Sequence, residues 1–212
     1  MKTIMVVTTL FVSVGIFSQE RGQPNPTAQL VAQLDKATDV RDYELLETRF
    51  AALAKADGGW LSNYYAALCD VRIGFLLQRD GERIEPYSDR GLRHVQQALA
   101  ALDTTVQRDE LAEVYTVASL LYRTKVFINP MTMGPKYGPV AEKYVQRALQ
   151  LNPDNPRAIY VEAWNKYHTP KAWGGDKEQA RALAAKSLSI LAKESPGTQP
   201  HWGARENKLL LK

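Results

Sequence analysis

The chain has 212 residues, 45% of them hydrophobic and 24% charged, with a formal net charge of +4. That length suits one domain with a sizeable core. No long basic run and no basic helix face is present to follow a phosphate backbone, which excludes nucleic acid as a partner.

Met1 and Lys2 form a short positive start, and Ile4 to Phe17 is an apolar run without charge. Ser18 then precedes Gln19, Glu20 and Arg21. This is the layout of a secretory signal peptide, and the run is shorter than the ~20 residues a spanning helix needs. No cysteine follows it to carry a lipid anchor. Residues 1–18 are therefore expected to be a cleaved signal, residues 19–26 a flexible linker with two prolines, and residues 27–212 a single helical domain. The resemblance to bacterial signals implies a periplasmic or secreted protein, with no stable membrane insertion after cleavage. Cys69, the single cysteine, sits among Ala66, Ala67, Leu68 and Val71 and reads as a buried small hydrophobe.

From Thr27 onward the apolar residues recur at spacings of three and four, and no alternating strand pattern occurs. The fold class is all-α. Thr27 is expected to cap a helix to about Ala37, and a second helix covers about Arg41 to Ala56, ended by Asp57-Gly58-Gly59. Three helix pairs follow. They run at about Trp60–Leu77 with Ser88–Leu102, Arg108–Phe127 with Tyr137–Leu151, and Pro156–Tyr167 with Lys177–Lys193. The connections inside the pairs, 80–87, 128–139 and 168–176, are expected as long loops on one edge. Gly174-Gly175-Asp176 reads as a turn feeding an N-cap.

The stretch Leu151-Asn152-Pro153-Asp154-Asn155-Pro156-Arg157-Ala158 ends one helix and starts the next. Before it stand Ala141, Val145 and Ala148, a small–large–small pattern repeated by Gly91, Val95, Ala98 and Ala101 and by Ala180, Ala184 and Ser187. The pattern resembles the second helix of a tetratricopeptide repeat (TPR). The spacings from Ala98 to Ala148 and from Ala148 to Ser187 both exceed the ~34-residue period of that family, so the match is TPR-like. The resemblance implies a short right-handed α-solenoid of about three hairpins, preceded by N-terminal helices and closed by a capping tail. It covers about residues 60–193.

In the family's register the first helices of the pairs line a concave face. The positions so implied are Arg157, Tyr160, Trp164 and Tyr167, with His168 next, and, taking Ala118 as the small residue, Tyr115, Ser119, Tyr122 and Arg123. The candidate groove is Tyr115, Tyr122, Arg123, Arg157, Tyr160, Trp164 and Tyr167. Tyr64 or Tyr65 would add to it from the first pair. Aromatic rings and guanidinium groups together suit the recognition of a peptide or protein segment with a carboxylate. The same aromatics are equally suited to packing between helices. The tail, with Trp202 and Leu209–Leu211, either caps the array or docks on another copy.

Catalytic and metal motifs are lacking in the sequence. His94, His168 and His201 form no paired metal motif, and no nucleophile elbow or phosphate loop occurs. The chain is expected not to be an enzyme and to need no cofactor. The leading expectation is an exported adaptor that binds another envelope protein or a peptide segment in a shallow concave groove. The alternative is a periplasmic ligand-binding accessory protein of a solute-uptake system, with an anionic small molecule in a groove rimmed by Trp164, Tyr122 and Arg123. A closed apolar pocket of several hundred cubic ångströms with few convergent polar groups would favour the alternative, and an open, continuous groove would favour the peptide.

Overall fold

A computed structural model describes residues 25–195 and 197–212. The expected signal peptide and most of the expected linker lie outside these residues. Asn25 caps the first helix by accepting from the Thr27 amide at 2.9 Å, and Pro26 takes the first helical position. Helix α1 thus spans Pro26–Leu34 and begins within the segment expected as linker. The described residues contain eight further helices: α2 Val40–Asp57, α3 Trp60–Leu76, α4 Glu85–Ala100, α5 Arg108–Ile128, α6 Pro130–Leu151, α7 Pro156–His168, α8 Lys177–Leu191 and α9 Ala204–Leu210. No strand is present among them, so the all-α expectation is met. None of the helices is long and apolar enough to cross a membrane.

Each helix packs on its neighbour in sequence, most extensively α5 on α6, α3 on α4, α2 on α3 and α7 on α8. The small–large–small residues explain why. Gly91, Val95, Ala98, Ala141, Val145, Ala148, Ala180, Ala184 and Ser187 are all buried where second helices meet first helices. A Cβ on Gly91 would stand 2.5 Å from Leu121 Cδ2, so the approach of α4 to α5 needs a glycine. Hydroxyl groups lock the same interfaces: Ser119 donates to the Ala141 carbonyl and Ser187 to the Pro156 carbonyl, both at 2.7 Å. Ala101, the fourth member of the pattern in α4, is exposed instead.

Helix α3 is buried on nearly every side from Ser62 to Gly74 and forms the centre of the core. Phe50 of α2 stacks on Tyr65 with ring centroids 5.2 Å apart, and both are essentially solvent-free. Each such side chain contributes roughly 1.5–3 kcal/mol of burial. Cys69 is fully buried, and its thiol is pushed well up by that burial.

Two connections depart from the sequence expectation. The segment 128–139, expected as a loop, is mostly the first half of α6. Asn129 accepts from the Met131 and Thr132 amides, and Pro130 starts the helix. Pro135 and Pro139 then lie four residues apart on one exposed face, where the carbonyls they leave unbonded meet water. The segment 80–87 holds a 3₁₀ turn at Gly81–Arg83 and the start of α4. Gly81 lies against the Phe127 and Ile128 carbonyls, which clamps this turn onto the end of α5. The third connection also holds a 3₁₀ turn, at Lys171–Trp173, and its end follows expectation: Asp176 caps α8 by accepting from the Glu178 and Gln179 amides, both at 2.9 Å.

The tail does more than cover the last pair. Helix α9 packs on α8 and α7, Leu210 is buried, and Asn207 donates to Ser187 Oγ at 2.7 Å. The segment before it crosses back to α3. Tyr65 donates to the Thr198 carbonyl at 2.7 Å, Trp202 Nε1 donates to Tyr64 Oη at 2.7 Å, and Arg72 pairs with Glu206 at 2.5 Å. Gly203, at φ +118°, makes the bend that turns the chain from this crossing into α9.

Candidate functional site

Three first helices each present one stripe to a common cleft. Leu68, Val71, Arg72 and Phe75 come from α3, and Leu120, Arg123 and Phe127 from α5. Tyr160, Trp164, Tyr167 and His168 come from α7. Within each helix most of these positions recur three or four residues apart, the spacing that places side chains on one face. Trp202, Glu206 and Leu209 of the tail close the fourth side. The cavity measures about 640 Å³.

Its walls are aromatic. Phe75 meets Phe127 edge to face at 5.3 Å and Trp164 at 5.7 Å, and Phe127 meets Trp164 at 6.2 Å. The Trp164 ring lies 4.3 Å from that of His168, which also meets Tyr167 at 5.1 Å. Tyr160 packs edge to face on Trp202 at 6.1 Å.

Into this largely aromatic setting the fold puts a half-buried cation with no ion pair among the described residues. Arg123 Cζ lies 5.5 Å from the centre of the Trp164 ring. Its Nη2 donates to Asn165 Oδ1 at 2.8 Å, and Asn165 is itself held by Glu142 at 3.1 Å. Its Nε is buried with no hydrogen-bond partner, and the guanidinium forms no ion pair among the described residues. Burial holds its pKa below the ordinary arginine range, with Glu142 opposing the shift from a distance. The imidazole of His168 is likewise held down, first by burial and then by Lys177 and Arg123. The other cation at the cleft, Arg72, is spoken for by Glu206.

A second cavity of about 510 Å³ lies across the tail, lined by Leu34, Tyr43, Tyr65 and His201 and sharing Arg72, Phe75, Trp202 and Glu206 with the first. The Arg72–Glu206 pair and the Trp202 ring, 5.3 Å from Arg72 Cζ, thus partition one groove into two compartments.

Of the seven residues expected in a groove, Arg123, Tyr160, Trp164 and Tyr167 line the cleft. Arg157 does not. It is 5% exposed and donates to Glu113 Oε1 at 2.8 Å and, through both terminal nitrogens, to Glu194 at 2.8 and 2.9 Å. Asn155, the cap of α7, and Tyr64 complete this network on Glu113. Tyr115 and Tyr122 also lie elsewhere, against Tyr144 of α6 at 5.8 and 5.3 Å. The register drawn through Ala118 is the reason. Ser119 of that stripe bonds α6, so the stripe faces the partner helix, and the cleft stripe through Leu120, Arg123 and Phe127 is one position round. One residue is about 100° of helix rotation. Tyr64 is buried in the Glu113 network and Tyr65 lines the second cavity.

Phe75, Phe127, Arg72 and Trp202 are absent from the expected groove, and the sequence does carry a signal for the first two. Both continue an apolar stripe seven residues beyond Leu68 and Leu120. Trp202 stands in a segment without helical periodicity, and nothing local announces its destination.

No family model and no curated protein matches this chain. Among solved structures it is similar to the HusA haemophore from Porphyromonas gingivalis. The TM-score is 0.75 at 28% identity, over 87% of this chain and 89% of that one.

Proposed function

We propose that this chain is an exported ligand-binding protein that carries haem, or a closely related porphyrin, in the cleft between α3, α5 and α7. The observation that carries the reading is Arg123, half-buried and without an ion pair among the described residues, in a cleft walled by Phe75, Phe127 and Trp164. A flat aromatic macrocycle with carboxylate arms supplies what that site lacks: rings to stack and an anion to answer the guanidinium. The cavity is of the size that encloses small-molecule ligands, and aromatic and aliphatic side chains make up much of its lining. The similarity to a haemophore supports the same ligand class.

In this reading the chain is a carrier, not a catalyst, and acts in the periplasm or outside the cell. Its helix pairs are stretched TPR-like hairpins of a short α-solenoid, and the cleft is their concave side. The adaptor reading is the weaker one. A peptide needs a continuous groove, and the tail lies across this one, with Trp202 and Glu206 tied to α3.

Titration of the exported chain with haemin, followed by the Soret band and tryptophan quenching, tests the proposal. Saturable one-to-one binding at micromolar concentration or below is expected, weakened about tenfold or more in Trp164→Ala. Non-saturable uptake, equal in wild type and variant, overturns it.

A further inference from the structure

Asn165 of α7 is buried between two charges of opposite sign, one on α5 and one on α6. Its Oδ1 accepts from Arg123 Nη2 at 2.8 Å, and its Nδ2 donates to Glu142 Oε2 at 3.1 Å. A guanidinium only donates and a carboxylate only accepts, so one orientation of the amide satisfies both. Arg123 and Glu142 thus meet through the amide and not as an ion pair. The amide is also a partition. Arg123 lines the aromatic cleft, whereas Asn165 and Glu142 line a recess of about 300 Å³ that also holds Glu162, Lys166 and Trp173.

Resting on the haem reading of the cleft, we infer that Asn165 makes the cleft selective for porphyrins with free carboxylates, by holding the Arg123 guanidinium with a neutral acceptor. A carboxylate at this position would also hold the guanidinium, but it would neutralise it. A close internal ion pair resists exchange for the carboxylate of a ligand. An apolar residue would remove the acceptor and leave Arg123 facing Glu142 with nothing between them. The amide gives position without charge compensation, so the cation remains available for a charge-assisted bond to an anion in the cleft. Trp164, next to Asn165 in the chain, places its ring 5.5 Å from Arg123 Cζ. Helix α7 therefore fixes the guanidinium twice, by its face and by one terminal nitrogen. Asn165 is not among the residues lining the cleft, so it acts through Arg123 as a positioning residue.

The full chain, as wild type and as the isosteric Asn165→Asp, is titrated at about pH 7.5 with haemin and, separately, with haemin dimethyl ester. At that pH the carboxyls of haemin are ionised, and the ester has none. Both ligands carry the same ring and the same iron, so the ratio of their affinities reports the carboxylates alone. The wild type is expected to bind haemin about tenfold or more tightly than the ester. In Asn165→Asp, haemin affinity should fall about tenfold while ester affinity stays within about twofold, so the preference disappears. Retained ester binding shows that the variant folds with its cleft intact. An equal loss for both ligands overturns the inference and makes Asn165 a packing residue; an unchanged haemin affinity overturns it too. A wild type that binds haemin and ester alike also overturns it, while the haem reading of the cleft stands. Should neither ligand bind the wild type, the haem reading fails, and the inference falls with it.

Discussion

Arg157 is buried and Arg123 half-buried, and their charges are treated in opposite ways. Arg157 has two carboxylates, Glu113 and Glu194, around its guanidinium, and they raise its pKa despite burial. Arg123 has one neutral amide and a bare Nε, and burial lowers its pKa. A buried charge is costly unless it is paired and hydrogen-bonded. The first arginine therefore belongs to the fold, tying α5, α7 and the end of α8 together. The second keeps a buried Nε that no group among the described residues answers. The cluster of Glu47, Asp70, Arg90 and His94 sides with Arg157. Its carboxylate and imidazole atoms lie within 4.8 Å of one another, a spacing that would suit a metal ion. Arg90 instead answers Asp70 at 2.6 Å and Glu47 at 3.3 Å, and His94 answers Glu47.

The sharpest break of this contrast is Glu113→Ala. It strips Arg157 of its most buried partner and leaves Asn155 and Tyr64 without an acceptor. A loss of about 3–5 kcal/mol in urea unfolding is expected. Asp70 provides the next test. Burial pushes its carboxyl up to about 6, against the pull of Arg90. Between the unfolded carboxyl's pKa near 3.9 and about 6 the folded chain binds more protons, so its stability falls as pH rises through that window. Unfolding free energies measured from pH 4 to 7 should show wild type losing up to about 3 kcal/mol relative to Asp70→Asn, with the loss complete above about pH 6. A pH-independent difference would mean that the carboxyl is already ionised at pH 4.

Arg123→Met should behave in the opposite sense to Glu113→Ala. Removing a cation with no ion pair is expected to leave stability within about 1 kcal/mol, while haemin affinity falls about tenfold. A large loss of stability would place Arg123 with Arg157 and erase the distinction. The smallest effect is expected from Tyr122→Leu. Its ring stacks on Tyr144 outside the cleft, so haemin affinity should stay within about twofold of wild type in the same titration.

These tests also separate what was readable in the chain from what was not. The joint at Leu151–Ala158 forms as its residues direct: Asn155 accepts from the Ala158 amide at 2.8 Å, and Pro156 opens α7. Gly58, at φ +63°, closes α2, and Asp176 caps α8. Caps and turns depend on neighbours a few residues away, so sequence reveals them. Pro135 and Pro139 misled because prolines usually break helices, and only their shared exposed face lets α6 continue. Trp164 and Tyr160 were found because α7 starts at an unmistakable proline, which sets the helix rotation. Tyr115 and Tyr122 were misplaced because α5 has no such marker, and one residue of slip turns a cleft side chain into an interface one.

The chain's local pattern determined most of each helix (the first half of α6 excepted), the pairing through small residues, and the face each second helix presents to its partner. Those properties follow from a local period and from side-chain size. Tertiary structure alone decided which arginine is paired, that Phe75 and Phe127 meet across α3 and α5, and that the tail returns to divide the groove. Each of these depends on groups dozens of residues apart along the chain, and no local period encodes such distances.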